Sequence, residues 1–310
     1  MSQSFAFVFP GQGSQHLGML SELAQEHPII QDTFTEASGV LGYDLWELVQ
    51  NGPEDDLNST DKTQPALLTA GVALWRLWKE QGGADPKIMA GHSLGEYTAL
   101  VCAGAISFTD GVQLVKLRGE FMQQAVPAGT GAMAAVLGLS DELIQESCAA
   151  SAQGQVVSPV NYNCPGQVVI AGEKDAVERA QVACKEAGAK RVVPLAVSVP
   201  SHCSLMKPAA EQLSAALANV AVSLPAIPVV QNVDGKVASD VETLKANLLA
   251  QLYSPVLWTA CVESMVEQGV EAAFECGPNK VLCGLNKKIH KPLVVKAINE
   301  PSGFQDAIAS

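Results

Sequence analysis

The residues best suited to covalent chemistry are Gly91-His92-Ser93-Leu94-Gly95, which fit the pattern G-x-S-x-G. A short strand candidate, Lys87 to Ala90, precedes them, and a helix-forming run, Glu96 to Ala103, follows. Strand, tight turn and helix in that order would expose the Ser93 hydroxyl at the turn. There a helix N-terminus favours developing negative charge, and the Leu94 N–H would point at the reacting oxygen. The spacing predicts a nucleophile; the plainer alternative is a glycine-rich turn in which Ser93 only caps the helix.

A serine nucleophile needs a base, and the chain has five histidines. His16 lies in a glycine-rich loop, His27 precedes Pro28, and His290 sits among Lys287, Lys288 and Lys291. On an elbow, the ring of His92 should diverge from the neighbouring Ser93 hydroxyl. His202, in Val199-Pro200-Ser201-His202-Cys203, is the expected base, with a buried histidine bonded to backbone as the alternative. Hydrolases with this elbow run Ser, Asp or Glu, then His, yet no acid between 93 and 202 completes a triad convincingly. A Ser–His dyad, its imidazole oriented by a backbone carbonyl, is therefore favoured.

Two further features bear on the site. The Gly11-Gln12-Gly13 turn, after the apolar run Phe5 to Phe9, is the obvious second oxyanion donor, acting through the Gln12 backbone. Arg118 falls within the apolar stripe of its helix, with Leu114, Phe121, Met122 and Ala125 at helical spacing around it. An arginine there needs an anion. An internal carboxylate and a substrate carboxylate gripped bidentately fit equally well.

The elements that must position these groups read as α/β. Phe5 to Phe9 and Lys87 to Ala90 are strand candidates, Ala66 to Gln81 is a long helix with proline in its first turn, and another helix spans about Thr109 to Ala125. The rhythm then changes to β-α-β-β-α-β: strands at 132–137, 156–162, 167–171 and 190–197, helices from Ser140 to about Ala150 and from Asp175 to Ala187. That order predicts a small ferredoxin-like domain at 128–197, inserted into a larger, discontinuous α/β domain of residues 1–127 and 198–310. The larger domain resumes with a helix at 205–220, a strand at 229–233, two helices between 240 and 268 interrupted near Ser254-Pro255, and strands at 272–275 and 293–298. The predicted whole is a hydrolase-like core with a parallel sheet plus the inserted unit.

Composition narrows the function. With 19 Lys and Arg against 32 Asp and Glu, the formal charge of −13 argues against a nucleic-acid partner. No apolar stretch reaches the roughly 18 residues that span a bilayer, and the first residues carry no signal-like segment. A cytoplasmic protein with reduced thiols is therefore expected, and the eight cysteines show no zinc-like spacing. No metal and no cofactor are implied.

Several motifs together resemble one family. Phe9-Pro10-Gly11-Gln12-Gly13-Ser14-Gln15, Thr63-Gln64-Pro65-Ala66, Gly91 to Tyr97, Arg118-Gly119, Pro200-Ser201-His202 and Gln251-Leu252-Tyr253-Ser254-Pro255-Val256 occur in order over nearly the whole chain. They closely resemble the malonyl-CoA:acyl carrier protein transacylases of bacterial type II fatty acid synthesis. The resemblance implies a ping-pong acyl transfer through malonyl-Ser93, with His202 as base and the Gln12 and Leu94 N–H groups around the oxyanion. It further implies that the Gln251 carbonyl orients the imidazole, that Arg118 pairs with the free malonyl carboxylate, and that Gln64 lies near the acyl group. The implied partners are malonyl-CoA and an acidic acyl carrier protein, met by a monomer. Competing expectations are a serine hydrolase on the same elbow and a non-catalytic binding module. Both implied partners are anionic, so the cations must act locally: Lys185, Lys190 and Arg191, or Lys287, Lys288 and Lys291, are expected to border the Ser93 cleft.

Overall fold

Nine strands run through the computed structural model, which describes residues 4–197 and 199–309; the expected domain boundary at 198 lies outside the described residues. They are β1 (Phe5–Phe9), β2 (Ile88–Gly91), β3 (Gly131–Leu137), β4 (Val157–Cys164), β5 (Gln167–Glu173), β6 (Arg191–Pro194), β7 (Val229–Val230), β8 (Ala272–Glu275) and β9 (Val294–Ala297). Two sheets result. One has the order β7-β2-β1-β8-β9 and is parallel throughout; the other, β4-β5-β3-β6, is antiparallel.

The parallel sheet is buried on both faces, which explains why β1 is an unbroken apolar run. Phe7 and Phe9 face one core with Trp78 and Leu74; Ala6 and Val8 face the other with Trp258 and Val262. The Phe7 and Trp78 rings meet edge to face at 5.1 Å. Parallel pairing requires crossovers, supplied by long helices such as Thr60–Glu80 and Phe108–Ala125.

In the antiparallel sheet the side chains alternate between two destinations. Ala134, Val136, Val168 and Ile170 pack beneath the helices Asp141–Ala152 and Lys174–Glu186, the first of them capped by Ser140 Oγ. Met133, Val169 and Ala171 face the other way, toward Cys203 of the larger part. The chain order β3-helix-β4-β5-helix-β6 with this strand order is the ferredoxin-like arrangement. The outer edge of β4 is covered by the Pro255-Val256 segment: Tyr162 N donates to Val256 O at 2.9 Å and Val256 N to Val160 O at 2.8 Å.

Several expected bounds shift. The long helix begins at Thr60, so Pro65 lies inside it rather than in its first turn; close packing of Gly119 against Thr60 and Asp61 holds the added turn. β6 stops at Pro194, whose ring nitrogen cannot donate to a ladder. The helix expected over 205–220 is a 3₁₀ turn at Ser204–Met206 followed by Lys207–Leu217. The structure adds two helices, Val281–Ile289 and Pro301–Ile308. Among the described residues, no helix is long and apolar enough to cross a membrane.

Candidate active site

Ser93 occupies a sharp bend between β2 and the helix Leu94–Cys102, with φ 53° and ψ −109°. A side chain tolerates that conformation only when its surroundings impose it. Here the restraint is backbone against backbone. A Cβ on Gly91 would come within 1.9 Å of the Gly95 carbonyl, and one on Gly95 within 2.0 Å of Phe9 O. His92 N donates to Phe9 O at 2.9 Å, so the elbow rests directly on the end of β1 and the turn that carries Gln12. Asn232 adds a clamp, accepting from Ser93 N at 2.7 Å and donating to Gly91 O at 2.7 Å.

His202 reaches the elbow from the segment after β6. Its Nε2 lies 2.8 Å from Ser93 Oγ, and its Nδ1 lies 2.6 Å from the carbonyl oxygen of Gln251. A carbonyl only accepts, so Nδ1 carries the proton and Nε2 offers its lone pair to the serine hydroxyl. Burial, with the nearby positive charge of Arg118, lowers the imidazole pKa to about 3, which keeps it neutral and able to accept. His202 also has a positive φ, 64°, and its N donates to Leu252 O at 2.9 Å. The ring of His92 turns away, bonding Asn163 Oδ1 through Nε2 at 2.8 Å. Among the described residues no acid hydrogen-bonds or ion-pairs with His202.

Arg118 is 1% exposed. Its guanidinium donates to Gln64 Oε1 at 2.9 Å, to Gln251 Oε1 at 3.0 Å and to Ser93 Oγ at 3.3 Å, while Nε has no partner. Its carbon lies 5.2 Å from the centre of the Tyr97 ring. Among the described residues no carboxylate forms an ion pair with it, so a buried cation is met there by neutral groups alone. The carboxylate nearest in the network is Glu96, one side chain removed behind Gln251. Burial lifts its pKa to about 7, against the opposing pull of its hydrogen bonds to Asn232, Gln251 and Gln231.

These groups line a cavity of about 110 Å³ between the two sheets. Ser93, His202, Arg118, Gln64, Gln12 and Leu94 come from the larger part, and Met133, Asn161, Leu195 and Val197 from the smaller unit or its exit. Among the described residues neither Gln12 N–H nor Leu94 N–H finds a hydrogen-bond acceptor, and the Gln12 side chain donates to Thr60 Oγ1 at 3.4 Å. Gln251 borders the cavity through its bonds to His202 and Arg118. Among the described residues no cluster of three or more His, Cys, Asp or Glu is placed to hold a metal ion.

The acyl transferase domain family matches residues 6–294. Over 304 residues, 98% of each chain, the sequence is 60% identical to the malonyl CoA-acyl carrier protein transacylase of Salmonella typhimurium strain LT2. This chain belongs to the malonyl-CoA:acyl carrier protein transacylases. Among solved structures, an acyl carrier protein S-malonyltransferase of Vibrio cholerae matches at 60% identity with a TM-score of 0.96, covering 98% of this chain and 99% of that one. A malonyl-transacylase in complex with its type II PKS acyl-carrier protein matches at 58% identity with a TM-score of 0.98, covering 99% of both chains.

As a transacylase, the chain brings all seven residues singled out from its sequence to one place. Sequence reasoning missed Asn232, the Gln251 side chain, Tyr97, Asn161 and Glu96. Only Glu96 left a signal: it is the sole charge on a helix whose other residues are apolar or small.

Proposed function

We propose that this transacylase moves the malonyl group in two steps through an ester on Ser93. His202 Nε2 takes the Ser93 proton as Oγ attacks the thioester carbonyl; the oxyanion forms between the Gln12 and Leu94 N–H groups, and the CoA sulfur leaves with the proton. The phosphopantetheine thiol of the carrier then gives its proton to His202 and attacks the ester, and the proton returns to Ser93. The Gln251 carbonyl supports the imidazolium formed at each stage. The observation that carries this reading is the 2.8 Å contact between Ser93 Oγ and His202 Nε2, with Nδ1 of the same ring turned to the Gln251 carbonyl.

Arg118 is assigned to the free malonyl carboxylate, with Gln64 bracing it. Its lack of an internal anion favours a substrate carboxylate over the internal alternative. A neutral acetyl group would leave the buried cation unpaired, an unfavourable exchange.

The carrier is expected to dock by charge. Leu137 pairs with Arg191 on one side and Gln167 on the other, and Lys288 Nζ lies 3.3 Å from Gln167 Oε1. The two basic clusters thus meet at one end of the small sheet. Met133, at the cavity, is four residues along β3 from that end, roughly 13 Å at strand spacing.

The deciding experiment is intact mass after brief mixing with malonyl-CoA. The expected result is a malonyl adduct, lost in Ser93→Ala. No adduct, or persistence of the adduct in Ser93→Ala, would overturn the mechanism. Free malonate as the dominant product with carrier present would indicate a hydrolase.

A further inference from the structure

The Glu96 carboxylate is fully buried on the helix that follows Ser93, and the proton transfers above make no use of it. Three N–H donors converge on it: Gln231 Nε2 at 3.1 Å from Oε1, with Asn232 N and Gln251 Nε2 each 2.9 Å from Oε2. An ionised carboxylate only accepts, so the Gln251 amide must face it nitrogen first. The Arg118 guanidinium only donates, so the same amide must face it oxygen first, as it does at 3.0 Å. Gln251 is therefore held one way round between a buried anion and a buried cation that make no ion pair with each other, its Nε2 donating also to Ser93 O at 3.0 Å and, at 3.3 Å, to Asn232 Oδ1.

We propose that Glu96 is a positioning residue for acyl selection, holding Arg118 in line with the acyl carboxylate through the side chain of Gln251. The proposal rests on the assignment of Arg118 to the malonyl carboxylate. Gln64 and Gln251 are the two close partners of the guanidinium; the Ser93 contact is longer and Nε has none. Loosening Gln251 leaves one close partner and lets the fork turn. A malonyl group, which must meet that fork, is disfavoured; an acetyl group has no carboxylate to lose.

The test measures acyl-enzyme formation in single turnover from malonyl-CoA and from acetyl-CoA at pH 8, where Glu96 is ionised. Glu96→Gln is expected to lower the malonyl-to-acetyl ratio about tenfold, the scale of one hydrogen bond to a charged group. Glu96→Asp, which keeps an acceptor-only group, is expected to stay within about threefold of the parent ratio, a smaller loss than for the amide. Because Glu96 acts through Gln251, adding Glu96→Gln to Gln251→Met should lower the ratio no further. Equal losses with both donors, or an unchanged ratio, in Glu96→Gln would overturn the proposal. Should Glu96→Gln fail to fold, Gln251→Met alone must lower the ratio, and an unchanged ratio there overturns it equally. Arg118→Ala separates the two levels. An unchanged ratio in that variant removes the Arg118 assignment itself, whereas a collapsed ratio there beside an unchanged one in Glu96→Gln removes only the relay.

Discussion

The elbow at Ser93 and the polar floor around Arg118 share one cavity and are held by opposite means. At the elbow, main chain packs on main chain: Gly91 against Gly95, Gly95 against the end of β1, and Gly11 against the His92 carbonyl. At the floor, side chains from residues 64, 96, 118, 232 and 251 satisfy one another by donor and acceptor polarity, with Arg118 left short of an anion. The elbow is rigid because sterics allow one conformation. The floor is selective because a charge there awaits its partner. Geometry rests mainly on main chain and specificity on side chains, with Asn232 and Gln251 joining the two.

Four experiments would break or sharpen that contrast. The largest effect is expected for Gly95→Ala. Its Cβ would meet backbone oxygens of Phe9 and Pro10, which have no flexible side chain to yield. A loss of about 3 kcal/mol or more in unfolding free energy and near-complete loss of acylation should follow. A near-parental thermal melt would show that the elbow does not depend on this packing.

Next is Arg118→Ala, expected to reduce kcat/KM for malonyl-CoA about a hundredfold and any acetyl transfer about threefold or less, since only malonyl loses a charge-assisted pair. Equal losses would place Arg118 with the scaffold.

The third concerns pH. The Glu96 carboxyl titrates at about 7 when folded and near 4.3 when unfolded. Between those values the folded chain holds a proton that the unfolded chain has released, so this group's contribution to stability falls as pH rises and its cost is complete above pH 7. Glu96→Gln removes that cost and should gain on the parent by about 1–3 kcal/mol between pH 5 and pH 8. Denaturant titrations at both pH values check this; a constant difference would mean that Glu96 keeps the same ionisation at both. His202, at about 3, should remain neutral across the same interval.

The smallest effect lies outside both regions. Reversing charge at Lys190, Arg191, Lys287 and Lys288 should raise the carrier's KM several-fold at low salt and little at high salt, as screened surface charges do. An unchanged KM at low salt would remove the basic end of the small sheet as the docking surface.

Legibility follows the same division. The G-x-S-x-G pattern between an apolar strand and a helix announced Ser93 because the constraint is local and glycine is its mark. The β-α-β-β-α-β order was equally readable, since alternation in the strands and caps such as Ser140 are properties of short windows. Arg118 was visible as a charge in an apolar stripe, but its surroundings were not. Asn232 and the Gln251 side chain look ordinary in sequence; their importance comes from partners up to 158 residues away. Element ends also slipped where packing overrode local signals, as where Gly119 holds a turn of helix ahead of Pro65.

The sequence by itself determined the strained turn, the unbroken apolar strand of one sheet, the alternation in the other and the types of group available for chemistry, because sterics and periodicity act between near neighbours. Only the tertiary structure decided which nitrogen of His202 faces Ser93 and that, among the described residues, no carboxylate pairs with Arg118. Those outcomes depend on hydrogen-bond polarity and burial among groups that the chain brings together only when both sheets close around the cavity.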